Sequence, residues 1–181
     1  MQLKETHAVV TGGASGLGLA VAKRIVQAGG KVTLLDVNET QGTAAAAALG
    51  ERSAFVATDV SDEAAVNGAI DRALERMGSV NAAINCAGIA TPARMVGKQG
   101  PMAGSFFRKM IEINLVGTLL VAKAAAVAMQ RNTPNSLGER GVIVMTASVA
   151  AFDGQIGHQS AWKSTATGWP AASMRSSVAA L

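Results

Sequence analysis

"HAVVTGGASGLG", residues 7–18, runs from an apolar, β-branched stretch through a glycine-rich turn into the start of a helix. Leu17, Ala20, Val21, Arg24, Ile25 and Ala28 follow at helical spacing, and Gly29-Gly30 stops the pattern. Strand, glycine turn and helix in this order are the context that a dinucleotide phosphate site requires. A side chain at Gly12, Gly16 or Gly18 would block the tight turn, the approach of backbone to pyrophosphate, or the packing of helix on strand. The helix N-terminus offers unpaired N–H groups and partial positive charge to phosphates. Ser15 is placed to cap that helix and to donate to a phosphate.

Beyond this turn, short apolar runs keep alternating with helical patterns, the signature of βαβ units. Strands are expected at 31–37, 53–60, 80–88 and 142–148, and helices at 39–50 and from Ser61-Asp62-Glu63 to Met77. A loop rich in Gly, Pro and Met spans Ile89 to Gly104, and one long helix, bent near Asn114 or Gly117, covers 105–130. The strands are nearly all apolar rather than alternating, as strands covered on both faces should be. The pattern predicts an α/β fold with a doubly wound parallel sheet, the Rossmann arrangement, as one domain over residues 1–157. The long helix carries more apolar surface (Leu115, Leu119, Leu120, Val121, Val127, Met129) than one sheet face covers, so a second subunit is expected.

With 181 residues, 49% hydrophobic and 15% charged, the chain is long and apolar enough to bury a core and is not disordered. Its apolar stretches are short and broken by Gly, Asp or Asn, so no membrane span is expected. "MQLKETH" leads straight into a strand without room for a signal peptide, and the single Cys86 forms no internal disulfide. A cytoplasmic location is the expectation. The net charge of +4 comes from scattered basic residues with no aromatic interleaving, which argues against a nucleic-acid partner. No metal is expected.

Asp36 ends the second strand about 20 residues past the glycines, where a carboxylate accepts both adenosine ribose hydroxyls. It would repel a 2′-phosphate, and Val37 and Asn38 supply no Arg to receive one, so NAD is favoured over NADP. A solvated acid at a strand end is the bland alternative.

These residues resemble the short-chain dehydrogenase/reductase family. The resemblance rests on "TGGASGLG" (11–18), "TDV" (58–60), "NCAG" (85–88), "INLVGT" (113–118) and "IVMTAS" (143–148), in order and at the family's intervals, and covers about residues 6–157. Within the family it points to members acting on 3-hydroxyacyl-CoA and hydroxysteroids. It implies that Ser15 and Leu17 touch the cofactor's phosphates and ribose, and that Asp36 holds the adenosine ribose. It further implies that Asp59 and Val60 border the adenine, with Asp59 accepting from its exocyclic amine. Asn85, Cys86, Ala87 and Gly88 would pass backbone under the nicotinamide-side ribose. Read on residue type alone, Cys86 is a small buried hydrophobe.

The family's chemistry needs a Ser on the substrate oxygen, an Asn holding a relay water, a Tyr exchanging the proton, and a Lys that lowers the Tyr pKa. Ser148 and Asn114 match the first two. Without the family, Ser148 is a strand-end cap and Asn114 a helix kink. The Tyr and Lys fall on Ala161 and Thr165, and the sequence contains no tyrosine. Trp162 and Lys163 stand nearby without the four-residue spacing, and His158 reads as a surface residue. Residues 158–181 form a divergent tail, and the family's last strands have no counterpart, so a C-terminally truncated Rossmann fold is expected. The resemblance implies hydride transfer between NAD and a secondary alcohol or ketone, in a dimer or tetramer. The alternatives are an impaired NAD-binding or subunit-pairing chain, or an aggregation-prone fragment with an exposed sheet edge.

Overall fold

The structure, a computed structural model, describes residues 2–90, 93–98 and 100–148. Its centre is a parallel sheet of β1 (His7–Thr11), β2 (Lys31–Asp36), β3 (Ser53–Ala57), β4 (Ala82–Asn85) and β7 (Val142–Met145), in the order β3-β2-β1-β4-β7. All four pairings are parallel, with Val10 opposite Leu34 on one side and Ile84 on the other. The chain builds outward from β1 to β3, then returns to add β4 and β7 on the opposite side. That reversal parts the loops at the C-terminal ends of β1 and β4 and opens a crevice between them.

Both faces of the sheet are covered, which is why the strand sequences do not alternate. On one face Val9, Leu35 and Ala83 pack against α3 (Glu63–Met77) and α5 (Thr118–Met129) through Val66, Ile70, Ala73, Val121, Ala125 and Met129. On the other, Ala8, Val10, Val32 and Leu34 pack against Ala22 and Ile25 of α1 (Gly16–Gln27) and the partly buried Ala45 and Leu49 of α2 (Glu39–Leu49). Each fully buried Val or Leu contributes roughly 1.5–3 kcal/mol. Local signals fix the helix ends. Asp62 accepts from the N–H groups of Ala64 and Ala65, Asn38 accepts from Gln41 N–H, and Gly78 closes α3 in the left-handed region at φ 81°.

Three expectations need correction. The strands are shorter than the predicted runs: Val37, Thr58, Asp59, Val60, Cys86, Ala87 and Gly88 leave the sheet to line the crevice, β4 begins only at Ala82, and β7 ends at Met145. The segment expected as a loop contains a small hairpin, β5 (Val96–Gly97) against β6 (Gly100–Pro101). The bend in the long helix is a change of helix type: α4 (Gly104–Ile111) widens into a π segment over Glu112–Gly117 before α5 begins. Gly117 is required there, since a Cβ would lie 2.7 Å from Val60 Cγ2.

The whole helix, Gly104–Met129, is 26 residues long and contains an 18-residue stretch of mean hydropathy 1.7, so by length and composition it could cross a membrane, contrary to the expectation that no run could. Core helices pass the same test, and this one lies against the sheet through Val121, Ala125 and Met129. Of the residues expected to be surplus, Val121 and Met129 are fully buried, while Leu115 and Leu119 are each 62% exposed and Val127 is also exposed. Phe107, Ile111 and Val116 add exposed apolar surface that the expectation did not name.

Candidate functional site

A cavity of about 640 Å³ lies over the C-terminal ends of β1, β2 and β4. The glycines of the turn do three separate jobs. Gly12 adopts φ +63°, and a Cβ there would sit 3.0 Å from Ala87 N and from the Cys86 carbonyl. Gly18 brings α1 onto the turn so closely that a Cβ would lie 2.3 Å from the Gly12 carbonyl oxygen. Gly16, at φ +52°, has nothing within 4 Å of its missing Cβ and opens on the cavity. Behind the turn, the buried Thr11 hydroxyl accepts the N–H groups of Cys86 at 3.1 Å and Ala87 at 3.0 Å. The two walls of the crevice are joined at that point.

Ser15 occupies the N-cap position of α1, and its carbonyl accepts the Leu19 N–H at 3.1 Å. Its hydroxyl makes no capping bond, which corrects the expectation from sequence: at φ −155° and ψ 178° the backbone is placed to cap, but the side chain is not engaged. The hydroxyl and the first N–H groups of α1 are therefore left for a ligand. Leu17 is exposed alongside them.

Asp36 is fixed through both oxygens. Oδ2 accepts the Ala14 N–H at 3.1 Å and Oδ1 the Asn38 N–H at 3.0 Å, which aims the carboxylate along the rim between β2 and the glycine turn. Asp59 closes the same end of the cavity, with the buried Val60 beside it. The Ser61 hydroxyl and Ser61 N–H donate to Asp59 Oδ1 at 2.6 and 2.9 Å. The hydroxyl first, then the N–H, hold this carboxyl below its ordinary pKa, and the positive charge of Lys109 acts in the same direction.

On the opposite wall Cys86, Ala87 and Gly88 line the cavity, and the Thr146 hydroxyl donates to Cys86 Sγ at 3.6 Å. Asn85 does not line it. It is 3% exposed, its Nδ2 donates to the Val144 carbonyl at 3.2 Å, and its Oδ1 has no partner among the described residues. Asn114 stands where the π segment meets this wall. Gly88 leaves room for it, since a Cβ would be 3.3 Å from Asn114 Oδ1. Its own carbonyl accepts the Thr118 hydroxyl at 2.9 Å. Ser148 is exposed just past β7, whose end is tied to β4 by Thr146 N–H donating to the Asn85 carbonyl at 3.1 Å. Ser148 is not part of the cavity wall. Ala161, Thr165, Lys163 and His158 lie outside the described residues. Among the described residues, no group of three or more His, Cys, Asp or Glu could hold a metal ion.

Ile89, Lys109 and Ile113 also line the cavity, and sequence reasoning missed them. No local pattern marks them, because only the tertiary fold brings Lys109 to the Asp59 end of the cavity. The arrangement suits an elongated ligand with phosphates at the N-terminus of α1, a diol at Asp36 and an amine at Asp59.

Residues 6–169 match the family described as short chain dehydrogenase. The chain is 43% identical over 157 residues to 3-hydroxyacyl-CoA dehydrogenase type-2 of Bos taurus, covering 86% of this chain and 60% of that protein. It is 37% identical over 151 residues to 3-beta-hydroxysteroid dehydrogenase of Comamonas testosteroni, covering 83% of this chain and 55% of that one. The crystal structure of 3-hydroxyacyl-CoA dehydrogenase type-2 from Mycobacterium avium superposes with a TM-score of 0.79 at 37% identity, covering 85% of this chain and 61% of its own. The chain thus spans about 60% of the length of such relatives.

Proposed function

Since the chain belongs to the short-chain dehydrogenase family, we propose that its cleft binds NAD and serves hydride transfer between NAD and the secondary alcohol or ketone of a 3-hydroxyacyl-CoA. The observation that carries the cofactor is Asp36. Its carboxylate is held by two backbone N–H groups at the end of β2, where it accepts a ribose diol and repels a 2′-phosphate. The residues present fit the rest of the cofactor. Gly16 leaves open space on the cavity, and among the described residues no side chain caps the N-terminus of α1 and no group donates to Asp59 Oδ2.

NAD supplies the hydride acceptor. The chain's own residues bind and orient. Thr11 fixes the wall formed by Cys86 and Ala87, and Asn114 fixes the main chain at Ile89, so the nicotinamide side of the cleft has a set position. Ser148 would hydrogen-bond the substrate oxygen. The 3-hydroxyacyl-CoA class is taken from the named activity of the relatives, of which hydroxysteroids are the second.

A second reading is favoured by one sequence fact: the chain has no tyrosine, and Ala161 and Thr165 stand where the family's proton-transferring pair falls. A positioned acid or base contributes roughly 10²- to 10⁴-fold in rate. On this reading the chain binds NAD with slow or no turnover. Calorimetric titration with NAD and NADP, followed by NADH production from a 3-hydroxyacyl-CoA, separates the two. Tighter binding of NAD with brisk turnover, in protein of verified intact mass, supports the enzyme. Tighter binding of NAD without turnover supports the second reading, and equal curves for the two nucleotides overturn both.

A further inference from the structure

We propose that the outer edge of β7 is an interface between two copies of this chain, whose β7 strands pair antiparallel about a two-fold axis at Val144. The two edges of the sheet are built differently. At β3, the Val32 N–H donates to the Arg52 carbonyl, so the next carbonyl, that of Ser53, faces outward. The Arg76 guanidinium covers it, donating to the Ser53 carbonyl at 3.0 Å and to the Glu51 carbonyl at 3.2 Å. A charged side chain laid on an edge keeps it from recruiting another strand. β7 has no such cover among the described residues. Its ladder to β4 runs from the Val142 N–H, on the Asn81 carbonyl, to the Thr146 N–H, on the Asn85 carbonyl. Alternation turns the N–H and C=O groups of Gly141, Ile143, Met145 and Ala147 away from β4, and no group among the described residues bonds them. Residues 141–147 contain no charged residue and no Pro. Both faces are open as well: Val144 is 40% and Met145 55% exposed, whereas Val9 and Val10 of β1 are fully buried.

What selects a second copy is the fit of this edge to itself. The ladder from Val142 to Thr146 has its midpoint at Val144. A two-fold axis there sets Ile143 opposite Met145 of the second copy, and Gly141 opposite Ala147, in both directions. Every outward N–H then meets an outward C=O. Val144 falls opposite its own counterpart, in the closer, non-hydrogen-bonded kind of pair. Ile143 packs against the cluster shared with α3 and α5, and Met145, two residues on, lies on the same face. Pairing therefore lays Met145 of each copy on Ile143 of the other, and the two Val144 side chains meet on the opposite face. No charge is buried or opposed. The contact uses both β7 edges at once, and the guarded β3 edges stop the sheet from growing further. The ladder is short and its bonds replace bonds to water, so the pairing is weak and forms well above micromolar concentration.

Hydrogen exchange on the unmodified chain, at about 10 µM and about 1 mM, tests the pairing. Protection of the Ile143 and Met145 amides is expected to rise about threefold or more with concentration. The Val144 amide, which faces β4, should not change. Equal protection at both concentrations would show that the chain's own residues cover the edge. Rapid exchange at both would show an edge left bare, and either result overturns the proposal. The register has its own test. In a Cys86→Ser background, Val144→Cys should form a disulfide-linked dimer on mild oxidation, since Cα atoms in such a pair lie about 4.5 Å apart. Val142→Cys, whose counterpart sits opposite Thr146 and out of reach, should not. Equal trapping of both variants, or of neither, would overturn the pairing. Neither readout depends on NAD, so the cofactor assignment stands or falls separately.

Discussion

Asn114 and the main chain of Ile89 form a closed pair of hydrogen bonds: Oδ1 accepts the Ile89 N–H, and Nδ2 donates to the Ile89 carbonyl, each at 2.9 Å. An amide is the group that satisfies both backbone atoms of one residue at once. It thereby fastens the segment after Gly88 to the π segment that interrupts the long helix. Asn114→Ala should free Ile89, with a loss of about 1–2 kcal/mol from two partly exposed bonds. Hydrogen exchange at the Ile89 amide should accelerate roughly tenfold, and an unchanged rate would show that the pair does not hold the wall.

Asp36→Ala removes both the acceptor for the ribose and the charge that opposes a 2′-phosphate. NAD affinity should fall about tenfold or more, as for loss of a charged hydrogen bond, while NADP affinity holds or rises. Parallel titrations of the two nucleotides read this directly. A variant that keeps the parent's preference would place nucleotide discrimination elsewhere.

Gly18 and Gly68 make opposite predictions. A Cβ on Gly18 would meet the Gly12 carbonyl oxygen at 2.3 Å, so Gly18→Ala must push α1 off the turn and should cost about 1–3 kcal/mol. Gly68 lies within α3 with open space around it, so Gly68→Ala should stabilise by about 0.5–1 kcal/mol. Thermal melts of the pair check both, and a shift in the same direction for the two would contradict the packing described.

His7 titrates below its ordinary value, first because it is partly buried and then because Lys31 repels its charged form. The folded chain therefore binds fewer protons here than the unfolded one. Stability is fully present above the unfolded value of 6.5 and is lost as pH falls through the lowered folded value. Melting temperature should decline as pH falls from 7 toward 5, and His7→Gln should flatten that decline. An equal slope in the variant would assign the acid sensitivity to other groups.

Leu115 and Leu119, four residues apart and both exposed, form the apolar strip that the sheet leaves uncovered, with Phe107 and Ile111 before them. If a second copy covers the strip, light scattering at micromolar concentration should report a dimer or larger, and Leu119→Glu should shift it to monomer. A monomeric parent would refute the assembly.

Much of the architecture could be read in the sequence because its signals were local. Five apolar runs, the first four each followed by helical spacing, can be satisfied in few ways other than a parallel sheet covered on both faces. The glycine turn and Asp36 were legible for the same reason, since each is defined by its distance from a strand end. What escaped depends on tertiary neighbours. Asn85 looks like its motif companions, yet faces into the packed layer and braces Val144, as only the pairing of β4 with β7 decides. Lys109 is ordinary until the fold sets it at the same end of the cavity as Asp59. The π segment betrayed a bend but not its form, which follows from Gly117 closing on Val60 and Thr118 bonding the Asn114 carbonyl. The hairpin at Val96–Pro101 is too short for any alternation to show.

A chain growing from its N-terminus makes the glycine turn long before the wall it leans on. The two N–H groups that Thr11 accepts belong to residues 75 and 76 positions later. β2 and β3 can add to β1 as they emerge, but the other side of β1 stays bare until β4 arrives. During that interval Gly12 has its left-handed turn and nothing behind it. Nucleotide binding should therefore appear in the nascent protein as one late step, when Cys86 and Ala87 reach Thr11. A ribosome arrested before residue 85 would display the phosphate turn without a cleft.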